Sequence, residues 1–172
     1  MIVTPRLRLC AWEERHRLPF AAMLADPEVM QDWGGPFGAA QSADKFDRYA
    51  ATFRECGFCR WAIEDAHGGF LGYTGMMASR PDHPLGAHVD IGWRLVRSAW
   101  GFGYATEAAR AALEDFFGRG LGSEVLAYTT PDNRRSQAVM ERLGLERDST
   151  RDYADRFNDA EWRGLVWVAR PA

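Results

Sequence analysis

The stretch "VRSAWGFGYATEAARAAL", residues 96–113, decides how the rest of this chain is read. Two glycines, Gly101 and Gly103, stand one residue apart where an extended segment gives way to an alanine-rich run. That run carries Ala105, Ala108, Ala109, Ala112 and Phe116 at helical spacing, so the glycines mark a strand-to-helix turn. A helix starting directly after a strand leaves its first amides without intrahelical partners, and together they carry about half a positive charge. Such a turn attracts phosphate, and glycine removes the Cβ atoms that would hold a ligand off the backbone. A tight packing turn uses the same residues, and a lone G-x-G does not separate the two. "GFGYAT" puts Thr106 where a dinucleotide fingerprint has its last glycine, but this run lies past mid-chain without regular strand–helix alternation around it.

Working outward, "RLRLC" (6–10) alternates as a first strand with Leu7 and Leu9 on one face. "EERHRLPFAAMLADPEVMQDW" (13–33) is helical, with Leu18, Ala21, Met23 and Leu24 as apolar positions and a start near Pro19. A loop follows at 34–38. Ser42 then caps a second helix with Phe46, Tyr49, Ala50 and Phe53 on one face. "CRWAIE" (59–64) and "FLGYTGMM" (70–77) flank "DAHGG" as a hairpin. The segment 87–95 is a strand feeding the glycine turn. On the helix after that turn, Glu107, Arg110 and Glu114 are spaced for pairing along the exposed side. A further strand, "SEVLAYTT" (123–130), precedes a helix capped by Asn133 and stopped by Gly144. "DSTRDYA" (148–154) and "RGLVWVA" (163–169) close the order as strands. The expected architecture is a single α/β (α+β) domain over 1–172: a mixed, mostly antiparallel sheet of six to seven strands with four helices.

Composition narrows the function classes. The 172 residues suffice for one core, and 47% hydrophobic with 26% charged is ordinary for a globular chain. A net charge of −3 argues against binding dominated by nucleic-acid phosphates. No apolar run approaches the ~20 residues of a membrane span, and the N-terminus is broken by Arg6 and Arg8, so a cytoplasmic location is expected. Cys56 and Cys59 in "ECGFCRW" form a C-x-x-C, but no second pair and no histidine at ligand spacing accompanies it. The cysteines read as reduced and structural, and no metal is expected.

The blocks "VDIGWRLVRSAWGFGYATEA" (89–108) and "TTPDNRRSQAVMERLGL" (129–145), with "TPRLRL", "LADPEVMQDW" and "FLGYTGMM" before them, resemble the GCN5-related N-acetyltransferase family. Within it they are most similar to the branch containing the bacterial ribosomal-protein N-terminal acetyltransferases. The resemblance implies a fold in which the strand at 87–95 splays from that at 124–130, with acetyl-CoA entering the gap. It implies pantetheine contacts around Leu95, Val96 and Arg97, and a diphosphate resting on the backbone of Trp100, Gly101, Phe102, Gly103, Tyr104, Ala105 and Thr106. Asn133 would touch the pantetheine arm as well as cap its helix. One departure is Ser98, where the family usually has glutamine or arginine.

Acetyl transfer to an amine requires a proton acceptor, a polarised thioester carbonyl and a stabilised thiolate. Asp90 is the candidate base, the alternative being an ordinary partner for a nearby backbone or arginine group. Where many relatives carry a tyrosine acid, this chain has Met140; the resemblance to the ribosomal-protein branch implies Ser136 as the donor to the CoA sulfur, the alternative being an ordinary first-turn helix residue. Ser136 would therefore serve both catalysis and cofactor binding. Trp33, Trp61, Tyr73, His88 and Tyr128 are candidates for the acceptor side, with core packing as the alternative for each. The expected function is direct transfer of acetyl from acetyl-CoA to a primary amine, of a protein N-terminus or a small molecule, with a homodimer as a candidate assembly. The rival is a non-catalytic acyl-CoA-binding sensor.

Overall fold

A computed structural model describes residues 1–157 and 160–171. Strands β1 (Ile2–Val3), β2 (Leu7–Cys10), β3 (Arg60–Asp65), β4 (Phe70–Ala78), β5 (Val89–Leu95), β6 (Val125–Thr129), β7 (Glu146–Arg147), β8 (Tyr153–Phe157) and β9 (Ala160–Ala169) form one sheet. Its order is β1-β2-β3-β4-β5-β6-β9-β7, with β8 on β9. Every pairing is antiparallel except β5–β6. The helices are α1 (Arg17–Leu24), α2 (Ala39–Cys56), α3 (Tyr104–Gly118) and α4 (Arg134–Leu143). The two strands beyond the expected number, β1 and β7, are two residues long, too short to leave a period-2 signature.

The parallel pair fixes the position of the site. β5 and β6 bond in register only at Asp90–Leu126, so beyond that point the strands separate, as the resemblance implied. Alternation along the strands sends side chains to two cores. Leu7, Leu9, Ile63, Met76 and Ile91 pack with Ala108, Ala109, Ala112 and Phe116 of α3. Ala62 and Tyr73 face the other way, against Phe20, Met23 and Leu24 of α1 and Phe46 and Tyr49 of α2.

Some local expectations are corrected. Leu18 is 81% exposed, because the buried face of α1 is Phe20, Met23 and Leu24, to which residue 18 does not belong. Helix α2 starts at Ala39, not after Ser42; the Gln41 Oε1 atom accepts the Gly38 N–H at 3.0 Å and so caps the earlier turn. Residues 149–151 form a 3-10 turn, and strand structure begins only at Tyr153. Glu107 and Arg110 do not pair along α3: Glu107 bonds Arg6, and Arg110 donates to the Arg142 carbonyl at 2.7 Å. Gly57 and Gly144 do end α2 and α4 in the left-handed region, at φ 70° and 76°.

The three thiols are all free, and they differ in environment. Cys56 is exposed, whereas burial pushes Cys10 and Cys59 each up to about 11. The thiolate is the reactive form, so Ellman's reagent at pH 8 should titrate one thiol quickly in the native protein and three after unfolding. Fast release from all three native thiols would contradict this packing.

Candidate active site

Where β5 parts from β6, a cleft of about 2270 Å³ opens between the end of β5, the start of α3 and the start of α4. Its walls include Leu95, Trp100, Gly101, Phe102, Gly103, Tyr104, Ala105 and Thr106, and across the gap Asn133 and Ser136. Ten of the twelve expected cofactor residues therefore meet here. Val96 and Arg97 do not line the cleft. Arg97 pairs instead with Glu28, and the Val96 N–H donates to the Leu71 carbonyl at 2.9 Å.

The turn has the shape its glycines suggested. Gly101 and Gly103 sit at φ 84° and 79°, where a Cβ is disfavoured. The first helical bond runs from the Glu107 N–H to the Gly103 carbonyl, so the amides before it are not spent on helix bonds. Thr106 Oγ1 is buried here without a partner among the described residues. Free amides, a buried hydroxyl and a helix N-terminus together fit a diphosphate. A Cβ built on Gly101 meets no atom within 4 Å, so a larger side chain would enter the space left for a ligand. Gly101→Val should raise KM for acetyl-CoA about tenfold while the protein still folds, since strain at one such residue costs about 1–2 kcal/mol. An unchanged KM would remove the turn from cofactor binding.

At the mouth of the gap the Trp100 Nε1–H donates to the Leu95 carbonyl at 3.0 Å, and the Arg135 guanidinium lies 4.2 Å from the Trp100 ring centroid. Asp32, on the loop between α1 and α2, ties the two sides together. It accepts Arg94 Nη1 and Nη2 at 2.9 and 3.1 Å, and Asn133 Nδ2 at 3.2 Å. Asn133 also caps α4, its Oδ1 accepting the Ser136 N–H at 3.1 Å.

Asp90 is 8% exposed, and its carboxylate accepts Arg60 Nη2. Arg60 Nη1 donates to the Asp90 carbonyl at 3.0 Å and also to the Gly75 carbonyl. Gly92 makes room for this crossing: a Cβ there would lie 3.1 Å from Arg60 Cζ. Burial, followed by the nearby Asp90 charge, pushes the Tyr128 hydroxyl well above the ordinary range. The arginine partner weighed for Asp90 is thus present, in the strand two away. Its signal in the sequence was a charged residue at an inward strand position, 60, where the period calls for an apolar one.

The acceptor-side aromatics divide. Trp33 is 46% exposed on the loop, with Lys45 Nζ 4.5 Å from its ring centroid. Lys45 itself was missed: it is buried, and desolvation pulls its amine below the usual lysine range. His88 and Tyr128 stand at 5.8 Å between ring centroids, beside His83 and Tyr153. Tyr73 and Trp61 are core. Tyr73 lies under α1 and α2 with Phe20 and Tyr49, and Trp61 packs on Phe53 at 4.5 Å.

Cys10, His16 and Glu64 bring three ligand-type atoms within 4.8 Å of one another. Proton placement opposes a metal there. The Glu13 N–H donates to His16 Nδ1 at 3.0 Å, so the neutral ring carries its proton on Nε2, 2.8 Å from Glu64 Oε1. A ligating Nε2 needs its proton on Nδ1, where the backbone N–H already points.

A family profile for the acetyltransferase (GNAT) domain matches residues 6–146. The uncharacterized protein YkkB of Bacillus subtilis is 30% identical over 151 residues, 87% of each chain. The FsC-acetyl coenzyme A-N(2)-transacetylase of Aspergillus fumigatus is 31% identical over 83% of this chain and 63% of its own length. Among solved structures, an acetyltransferase from Agrobacterium tumefaciens superposes with a TM-score of 0.82 at 25% identity, covering 99% of this chain and 94% of that one. With the splayed strands, the glycine turn and the matched sequence in agreement, the chain belongs to the GNAT acetyltransferases and is an acetyl-CoA-dependent N-acetyltransferase.

Proposed function

We propose that this enzyme transfers acetyl directly from acetyl-CoA to a primary amine bound on the α1–α2 side of the gap. The observation that carries the reading is the turn at 101–106, with two left-handed glycines and helix-start amides that are not spent on helix bonds. Acetyl-CoA supplies the activated thioester. The backbone amides of the turn hold the diphosphate, and Asn133 steadies the pantetheine arm while capping α4.

Asp90 takes a proton from the ammonium form of the acceptor through a relay, because Arg60 already occupies its carboxylate. The Tyr128 hydroxyl or a water supplies the link. The freed amine lone pair forms the C–N bond as the C–S bond breaks. Ser136 hydrogen-bonds the departing sulfur, and the second amine proton ends on the thiol. The products are the amide, CoA thiol and one proton released to solvent. Cys10 and Cys59, both buried with raised pKa, are poorly suited to carry the acetyl group, which supports direct transfer over an acyl-enzyme.

The acceptor class is tested by incubating the protein with acetyl-CoA and a panel of small amines and N-terminal peptides. One thiol released per acetylated amine is expected on at least one member. Tight CoA binding without turnover on any acceptor would favour the sensor.

A further inference from the structure

Arg6 has no part in the chemistry above, yet its side chain bonds both the glycine turn and the first turn of α3. Its Nη1 donates to the Phe102 carbonyl at 2.9 Å, and its Nε to Glu107 Oε2 at 2.7 Å. Its Nη2 lies 2.6 Å from the same carboxylate oxygen, and its Cζ sits 4.7 Å from the Tyr104 ring centroid. The Arg6 N–H and the Thr4 hydroxyl donate to Glu107 Oε1 at 3.1 and 2.6 Å. The chain just before β2 thus grips both the residue between the two glycines and the first turn of α3.

Two consequences follow from elementary geometry and charge. A trans peptide is planar, with its C=O and N–H pointing to opposite sides. Holding the Phe102 carbonyl toward Arg6 therefore turns the Gly103 N–H away from Arg6. Gly103 lines the cleft, whereas Arg6 does not. A loop with two glycines has much backbone freedom to lose, and this contact removes it before any ligand arrives. The second consequence concerns Glu107. Its carboxylate stands at the helix N-terminus, where the amides would otherwise favour a bound anion. Burial opposes its charge, but the Thr4 and Arg6 hydrogen bonds outweigh that and hold it below the usual carboxylate range. Arg6 offsets the negative charge that Glu107 would otherwise set beside the diphosphate.

We propose that Arg6 is a positioning residue for donor binding: through Phe102 and Glu107 it presets the Gly103 amide and neutralises the carboxylate beside it. This rests on the diphosphate reading of the turn. The test compares CoA with donors lacking the diphosphate, in wild type, Arg6→Ala, Arg6→Lys and the double variant Arg6→Ala, Glu107→Gln. Titration calorimetry should give a Kd for CoA about tenfold weaker in Arg6→Ala. Its kcat at saturating acetyl-CoA should stay near wild type. Its KM for S-acetylpantetheine should not move, because that donor has the same thioester and arm but no diphosphate. The double variant should recover part of the lost CoA affinity, and Arg6→Lys, which keeps charge without the fork, should fall between. If Arg6→Ala penalises both donors equally, or if Arg6→Lys and Arg6→Ala both bind CoA like wild type, the proposal is overturned. A wild type that uses S-acetylpantetheine as well as acetyl-CoA would instead overturn the diphosphate reading, and this proposal with it.

Discussion

Arg60→Met should destabilise the fold by about 3–5 kcal/mol, because it leaves the Asp90 carboxylate buried without its partner. For a chain of this length that lowers Tm by roughly 10 °C. Methionine keeps most of the apolar stem, so the loss is assigned to charge and not to packing. Asp90 is 8% exposed and Arg60 also 8%, so little water is available to replace the pair. Adding Asp90→Leu should restore most of the lost stability, since an apolar pair of similar volume often matches a buried ion pair. Activity separates the two roles of Asp90. If it relays the proton, the double variant melts near wild type but keeps a loss of about a hundredfold in kcat/KM. Recovery of stability and activity together would make Asp90 only a partner for Arg60.

The second large effect is expected at Ser136. Ser136→Ala should lower kcat about a hundredfold, with KM for acetyl-CoA nearly unchanged, because the hydroxyl is needed where charge develops on sulfur. The substitution is clean structurally. Asn133 caps α4 through the Ser136 backbone N–H, at 3.1 Å, and alanine retains that group. Thermal melting should therefore stay within about 1 °C of wild type, surface changes of this kind costing little. A kcat within twofold of wild type would exclude Ser136 as the donor to sulfur and direct attention to another group on the same wall. Met140 is not available for that duty: it is buried in the core and has no proton to give.

Local features of the fold were legible because they repeat along the chain. The alternation in "RLRLC", the alanine stripe of α3 and the Asn133–Gly144 boundaries of α4 all appear where period and capping chemistry put them. The glycine turn was legible for the same reason, since a strand, two glycines and a helix are contiguous in sequence. What was not legible depends on partners far apart. Arg60 reaches Asp90 across 30 residues, and Arg6 reaches Glu107 across 101. Asp32, Arg94 and Asn133 come together from a loop, a strand and a helix cap. No periodicity links such residues; the folded arrangement of strands, loops and helices brings them side by side. Two of the five aromatic residues weighed for the acceptor side, Tyr73 and Trp61, lie in the cores. Tyr73 has the composition of a pocket residue, but the alternation of β4 turns it into the layer under α1 and α2.

The proposed role of the amides from Gly101 to Thr106 is to hold the diphosphate of acetyl-CoA. It is tested most directly by titrating CoA into ¹⁵N-labelled protein and following every backbone amide by NMR. The predicted result is that the largest shifts fall on residues 101–106, with smaller ones at Leu95, Asn133 and Ser136, and little change along α2 or β8. Saturable CoA binding that leaves residues 101–106 unmoved and shifts amides elsewhere would contradict it.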